Sequence, residues 1–427
     1  MVLDLFKNQS NNDNKTNGKR YSKEMKEFAL TLHYYSPRAY NFCRTILSLP
    51  HPSSITHWTS SVDAEPGFLE EVFEYLKNIS PSDRDCNLTF DAMSIRKKII
   101  YDSNSDKFMG YCDFGNFHVE SQETPASEAL VFMLVSLNGK WKWPIGYFFQ
   151  SKSTATIQAG LVTTAITMAH AVGIKVWGVT CDGTASNLST MTHLGCKLFG
   201  SYDEIKESFY IPGIEWKIHY IPDACHNLKL ARNALATYKI FKNENGVINW
   251  NFIEDLHKTQ QKMGLNFANK ISASHIDWRK NIMKVKLAAE TLSSSTADAL
   301  EALNCLNVPE FKNVEETIKF IRTIDRLFDF LNTRSPFGKG FKKPLYQNNV
   351  ERQKEVILPL IEYLLKLTDV KGIPIYSTPR KTFVIGLLFF LYFIVRNIYV
   401  LCLLHKYIIS YLYIVITILK YLTKLVE

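Results

Sequence analysis

The chain has no CxxC pair and no histidine pair at finger spacing, although it carries eight cysteines: Cys43, Cys86, Cys112, Cys181, Cys196, Cys225, Cys305 and Cys402. Thiols scattered in this way argue against a structural zinc module and for a reducing compartment. A Gly-rich phosphate loop of Walker type is also missing. The N-terminus has no apolar secretion core; its polar, Asn- and Lys-rich stretch from Lys7 to Arg20 predicts a disordered lead-in over residues 1–20. Charge of one sign does not dominate. Fifty Lys plus Arg against 41 Asp plus Glu leave +9, a modest excess that favours polyanions without selecting one. At 427 residues the length allows two or three domains.

What is present is a pair of strands that each carry an acid. Lys175–Cys181 (KVWGVTC) has a buried-strand pattern and delivers Asp182, followed at once by Gly183, to its C-terminal edge, where open α/β sheets bind ligands. Asn87–Ile95 (NLTFDAMSI) alternates apolar and polar residues around Asp91, a carboxylate that is costly on a half-buried strand unless it meets a cation or partner. Either acid alone reads equally as a turn former or a cap. Together they point to a divalent metal site.

From Tyr21 to about Lys77 the pattern is that of short helices, with Ser36-Pro37 and Pro52-Ser53 as start signals. Three short helices with tight turns resemble a helix-turn-helix unit, assigned to residues 21–80. In it the Ser53–Ser61 helix, with Ser54, Thr56, His57 and Thr59 outward, either contacts DNA or serves only for docking. Beyond Pro81 the pattern turns to strands: NLTFDAMSI, KFMGYCDFG, and EALVFMLVSLNGKWKWPIGYFFQ with the tight-turn pair Asn138-Gly139. These predict an antiparallel meander. A helix at Thr154–Val172 then implies a crossover, placing the Asp182 strand parallel to one already in the sheet. A helix at Ala185–Leu194, a strand at Trp216–Ile221 and a helix from Ala224 to about Tyr238 complete the order of a ribonuclease H-like α/β fold over residues 84–240. Adjacency of its first and fourth strands brings Asp91 to Asp182. The remainder, 241–375, reads as a separate helical domain, with apolar residues at three- and four-residue steps.

These segments in this order resemble the P-element transposase family and its THAP-domain relatives. The resemblance rests on FALTLHYYSPRAYNFCR, LPHPSSITHW, EPGFLEEVFEYLK, FDAMSIRK, VTCDGTASN, PDACHNLKLARN, KLAAETLSSSTADALEAL and TIKFIRTIDRLFDFLNTR, spread over about Tyr21 to Arg380. It implies a DNA transposase of the DDE type with a ribonuclease H-like core, a GTP-binding helical insertion and two metal ions held by two Asp and one Glu. By motif, Asp91 is the first catalytic acid and metal ligand and Asp182 the second; Phe328, Asp329 and Asn332 match the guanine-contacting stretch. Mg²⁺ or Mn²⁺, GTP, transposon-end DNA, a homo-oligomer and a nuclear location are the implied cofactors, partners and place. Two family parts have no counterpart: the zinc-binding THAP module before Tyr21 and the Gln-Asp-His-Leu-Glu run that supplies the third acid. Loss of sequence-specific end reading and of most cleavage is therefore expected, and the second reading is a non-catalytic DNA- or nucleotide-binding protein derived from a transposase.

Asp223 is the nearest substitute acid, though it also suits the N-cap of the Ala224 helix, the reading favoured here. His226 reads as a helix surface or core contact. Asp329 suits guanine because one carboxylate accepts both N1–H and N2–H, while IDRLFDFLN also fits an amphipathic helix with Phe328 in the core. The tail, 383–427, holds apolar runs of about 13, 7 and 13 residues broken by Arg396-Asn397 and His405-Lys406. Each is shorter than a bilayer span, although the last two joined would suffice for a membrane hairpin. The preferred expectation is a frameshift or truncation that replaced the family's C-terminal part, with membrane insertion disfavoured.

Overall fold

A computed structural model describes residues 2–12, 18–59, 65–103, 106–117, 123–198, 204–333, 337–344 and 348–388. The chain forms two compact units, residues 1–65 and 66–427.

In the first unit, α1 (Val2–Asn12), α2 (Lys23–Tyr35), α3 (Pro37–Ile46) and α4 (Pro52–Thr59) follow one another. Ser22 and Ser36 cap α2 and α3, accepting from the Met25 and Ala39 amides at 3.3 and 3.1 Å, and Pro37 opens α3 where no amide proton is needed. Met25, Ala29, Tyr40, Leu49 and Ile55 form the small core. The lead-in expected to be disordered contains a helix instead. Its polar side chains have tertiary partners: Asn8 donates to the Ser48 carbonyl at 2.8 Å, and Gln9 accepts from the Ser48 amide at 2.8 Å. In α4, Thr56 and His57 are exposed and Ser54 is half-buried. The Thr59 side chain and Ser61 lie outside the described residues.

The second unit begins at β1 (Gly67–Phe68) and α5 (Glu70–Leu76), so the helical unit stops short of residue 80. Next come β2 (Asp85–Ser94), β3 (Ile100–Asp102), β4 (Lys107–Met109), β5 (Glu128–Ser136), β6 (Lys142–Gln150), α6 (Ala155–Ala171), β7 (Lys175–Cys181), α7 (Ala185–Leu194), β8 (Ser208–Phe209), β9 (Ile218–Pro222) and α8 (Ala224–Tyr238). The seven-stranded sheet has the order β1-β6-β5-β2-β7-β9-β8. Strand β2 pairs antiparallel with β5 and parallel with β7, which pairs parallel with β9. The long helix α6 spans the crossover between β6 and β7. The KFMGYCDFG segment does not enter the sheet as a meander strand: β4 pairs with β3 in a separate hairpin, and the segment joins the sheet at an isolated bridge between Asp113 and Phe149 on β6.

Alternation along β2 sorts the two faces. Leu88 and Phe90 join the core packed by α6, while Asn87, Thr89 and Asp91 face the side of α8. Beyond α8 a hairpin of β10 (Ile240–Asn243) and β11 (Gly246–Asn249) leads into α9 (Asn251–Met263), α10 (Ala273–Ile276), α11 (Val285–Thr291), α12 (Ser294–Cys305), α13 (Glu315–Leu331) and α14 (Val350–Leu365). This helical segment is not separate in its packing. One apolar cluster runs from Ile221 on β9 through Ala224, Leu228 and Ala231 on α8 to Phe320 and Leu327 on α13. A last helical stretch, 382–388, returns to the same cluster through Phe383, Val384, Leu387 and Leu388. The tail beyond 388 lies outside the described residues; among those described, no helix is long and apolar enough to cross a membrane.

Candidate active site

Parallel pairing sets three acids abreast. Thr89 on β2 is opposite Thr180 on β7, so Asp91 and Asp182, each two residues on, reach neighbouring positions at the same sheet edge. Cys181 is opposite Pro222, which puts Asp223, the residue just after β9, beside Asp182. Beneath the acids the side chains are small and polar: Asn87 donates to both Thr89 Oγ1 and Thr180 Oγ1 at 3.1 Å.

Each acid is held differently. The motif VTCDGTASN builds a cradle for Asp182, whose Oδ1 accepts from the Thr184 amide at 3.1 Å, Thr184 Oγ1 at 2.8 Å and Asn187 Nδ2 at 2.5 Å. Its other oxygen, Oδ2, stands 4.0 Å from His226 Nδ1. Asp91 accepts from the Ala92 amide at 2.9 Å. Burial first, then repulsion from Asp182 and Asp223, pushes its pKa up to about 7, against the pull of the Ala92 amide and Lys229. Asp223 caps α8, accepting from the Cys225 and His226 amides at 2.9 and 3.1 Å. Burial still raises its pKa to about 6 despite those bonds. The imidazole of His226 is pushed down by burial, against the attraction of Asp182.

Space above Gly183 is tight: a Cβ would fall 2.8 Å from Thr382 Cγ2, so stretch 382–388 passes close to the Asp-Gly pair. The sequence reading singled out Asp91 and Asp182, and the sheet brings them together. It read His226, within PDACHNLKLARN, as a helix surface or core contact, whereas the ring faces Asp182; the only local signal for this was its position three residues after the capping acid. Among the described residues no group of three or more His, Cys, Asp or Glu stands close enough to hold an ion by itself. Asp91 and Asp182 nevertheless suit a hard divalent cation in donor type, and two partly buried carboxylates that repel one another are what such a cation relieves.

Phe328, Asp329 and Asn332 lie at the end of α13. Asp329 and Asn332 are three residues apart and so share a helix face. Asp329 pairs with Lys342 at 3.2 Å, and burial raises its pKa against that pairing. Phe328 turns the other way. It lines a cavity of about 10 Å³ with residues of α8 and Leu387, far too small for a base.

Three domain models match the chain in order. They are the transposable element P transposase-like HTH domain over residues 1–58, the TNP-like RNase H N-terminal domain over 64–195 and the TNP-like GTP-binding insertion domain over 225–344. Over 374 residues the chain is 33% identical to the DNA transposase THAP9 of Homo sapiens, covering 86% of this chain and 41% of that protein. Over 326 residues it is 26% identical to the Transposable element P transposase of Drosophila melanogaster, covering 73% and 40%. It thus spans about 40% of each curated relative's length. The solved Drosophila P element transposase strand transfer complex matches at a TM-score of 0.73 and 21% identity, covering 94% of this chain and 87% of that one.

Proposed function

Because the chain belongs to the P-element transposase-like family, we propose that it acts on DNA in the nucleus by metal-assisted phosphodiester chemistry at Asp91 and Asp182. The carrying observation is the placement of these two acids on adjacent parallel strands, close enough for the charge of Asp182 to raise the pKa of Asp91. They are the residues that would hold Mg²⁺ or Mn²⁺. Such an ion, when bound, supplies an activated oxygen nucleophile or stabilises the leaving oxygen of a phosphodiester.

The chain's own groups prepare the site. Thr184 and Asn187 occupy one oxygen of Asp182 and so orient the other. Asp223 is committed to the α8 cap and positions that helix, with His226 facing Asp182 and the Lys229 charge nearby. In the insertion, Asp329 is the group suited to the guanine N1–H and N2–H edge of GTP, exchanging Lys342 for the base. The site works on DNA ends in a homo-oligomer.

The test is Mg²⁺- or Mn²⁺-dependent nicking of a supercoiled plasmid by wild type and Asp182→Ala. Nicking lost in the variant supports the reading. Nicking equal in both rejects Asp182 as part of the chemistry. The second reading, a non-catalytic DNA- or nucleotide-binding protein, is favoured by the lack of a third ligand beside the two acids among the described residues. DNA binding without metal-dependent nicking in the wild type selects it.

A further inference from the structure

The hairpin between β2 and β5 serves neither the sheet nor the acid site. Residues 96–101 and 106–109 are all exposed. Five of them are large and apolar: Ile99 (39%), Ile100 (39%), Tyr101 (52%), Phe108 (66%) and Met109 (48%). A two-stranded hairpin gains no core from side chains left in water, so such a cluster marks a contact surface. Its register divides the residues between two faces. Tyr101 is opposite Phe108, the rings tilted at 56° with centroids 5.3 Å apart, and Ile100 is opposite Met109. Both faces of the ribbon are thus apolar.

The root of the hairpin is basic and fixed. Arg96, Lys97 and Lys98 are exposed and have no ion-pair partner among the described residues. Strand β2 leaves the sheet at Ser94, on the edge that carries Asp91. There the Ile95 amide donates to Ser127 O and the Ala126 amide to Gly110 O, each at 2.9 Å. Gly110 has φ +106, and a Cβ there would fall 2.1 Å from the Lys98 carbonyl oxygen, so only glycine lets the chain cross its own root. The ribbon is therefore anchored a few residues from the candidate metal-binding acid.

Cations at the root and a blade apolar on both faces fit one partner chemistry: a polyanion whose interior is a stack of flat rings. We propose that the β3–β4 hairpin is a DNA wedge, with Arg96, Lys97 and Lys98 on phosphates beside the strand held at Asp91 and Asp182, and Phe108 stacked on a base separated from its neighbour. The wedge rests on the reading that the chain acts on DNA.

The full chain is titrated against labelled duplexes carrying 2-aminopurine at successive positions, at several salt concentrations. The triple variant Arg96→Gln, Lys97→Gln, Lys98→Gln lowers the slope of log affinity against log salt by about 2–3. Phe108→Ala abolishes the position-specific rise in 2-aminopurine fluorescence and weakens binding roughly tenfold at unchanged slope; Phe108→Trp restores both. Unchanged melting midpoints establish that these surface variants fold. DNA binding by wild type with slope and fluorescence the same in all variants overturns the wedge and leaves the DNA reading standing. No DNA binding by wild type overturns both. Loss of self-association in Phe108→Ala with DNA binding intact makes the hairpin a contact between copies and also overturns the wedge.

Discussion

Replacing Asp91 by Asn should stabilise the metal-free protein while destroying its response to divalent metal. The Asp91 pKa is raised to about 7 in the fold, from an unfolded value near 4. For an acid shifted in that direction, the stability it contributes is fully present below about pH 4 and is lost as pH rises through about 7. Three pKa units correspond to roughly 4 kcal/mol at most. Asp91 keeps some solvent exposure, so water screens part of this and about 2 kcal/mol is the working figure. Asn keeps an oxygen for the Ala92 amide and a similar volume, and so removes only the charge. Thermal melts in EDTA from pH 4.5 to 8 should show wild type losing stability towards neutral pH and Asp91→Asn staying flatter and melting higher at pH 7.5. Saturating Mg²⁺ or Mn²⁺ should then raise wild type, by about 2.7 kcal/mol at a hundredfold excess over the dissociation constant, and leave the variant nearly unmoved. A variant that melts at or below wild type in EDTA at pH 7.5 refutes the argument that burial and repulsion penalise the Asp91 charge. A wild type that ignores both metals refutes the assignment of the pair.

Two further substitutions probe the surroundings. A Cβ at Gly386 would lie 2.3–2.6 Å from the buried Asn227 amide group, so Gly386→Ala should force stretch 382–388 off α8 and cost about 1–3 kcal/mol. Equal denaturant midpoints for wild type and variant would show that this packing is absent in solution. At the end of α13, Asp329→Ala should weaken GTP binding at least about tenfold by calorimetry without lowering the melting midpoint, because the ion pair it breaks is with Lys342, whose exposed ammonium returns to water. Phe328→Ala should instead destabilise the fold, by about 2–3 kcal/mol for its partly buried ring. Equal GTP affinity in wild type and Asp329→Ala would remove Asp329 from the site.

The parts of this fold legible in the chain are those in which the signal and its cause are local. KVWGVTC followed by Asp-Gly announces a strand that ends on an acid, and Pro-Asp before an apolar helical pattern announces a cap; both follow from neighbours a few residues away. What was hidden depends on distant partners. KFMGYCDFG alternates as a sheet strand would, but alternation does not name a pairing partner, and Lys107–Met109 pairs only with the hairpin strand before it. The polar lead-in forms a helix because Asn8 and Gln9 meet the backbone of Ser48, a tertiary event that composition cannot register. The β10–β11 hairpin is a different kind of miss. Asn245-Gly246 stood at its turn as a usable local signal, outweighed by the helical periodicity that follows it.

The same distinction governs the acid site. Asp91 and Asp182 were readable as strand residues, and the order of the strands placed Asp223 near them, but that His226 faces Asp182 follows from how α8 leaves β9 beside β7, which no local pattern encodes. Asp223 shows the consequence. It is placed as a ligand would be, yet two amide donors at the start of α8 already claim its oxygens. Its recruitment to an ion would have to uncap the helix that carries His226 and Lys229, at about 0.5–2 kcal/mol for the lost cap alone. Asp91, with a single amide donor and a raised pKa, meets no such competition. On the proposed reading, a cation at this edge would therefore meet Asp91 and Oδ2 of Asp182 before Asp223, and the acids delivered by β2 and β9, the two strands flanking β7, would do different work.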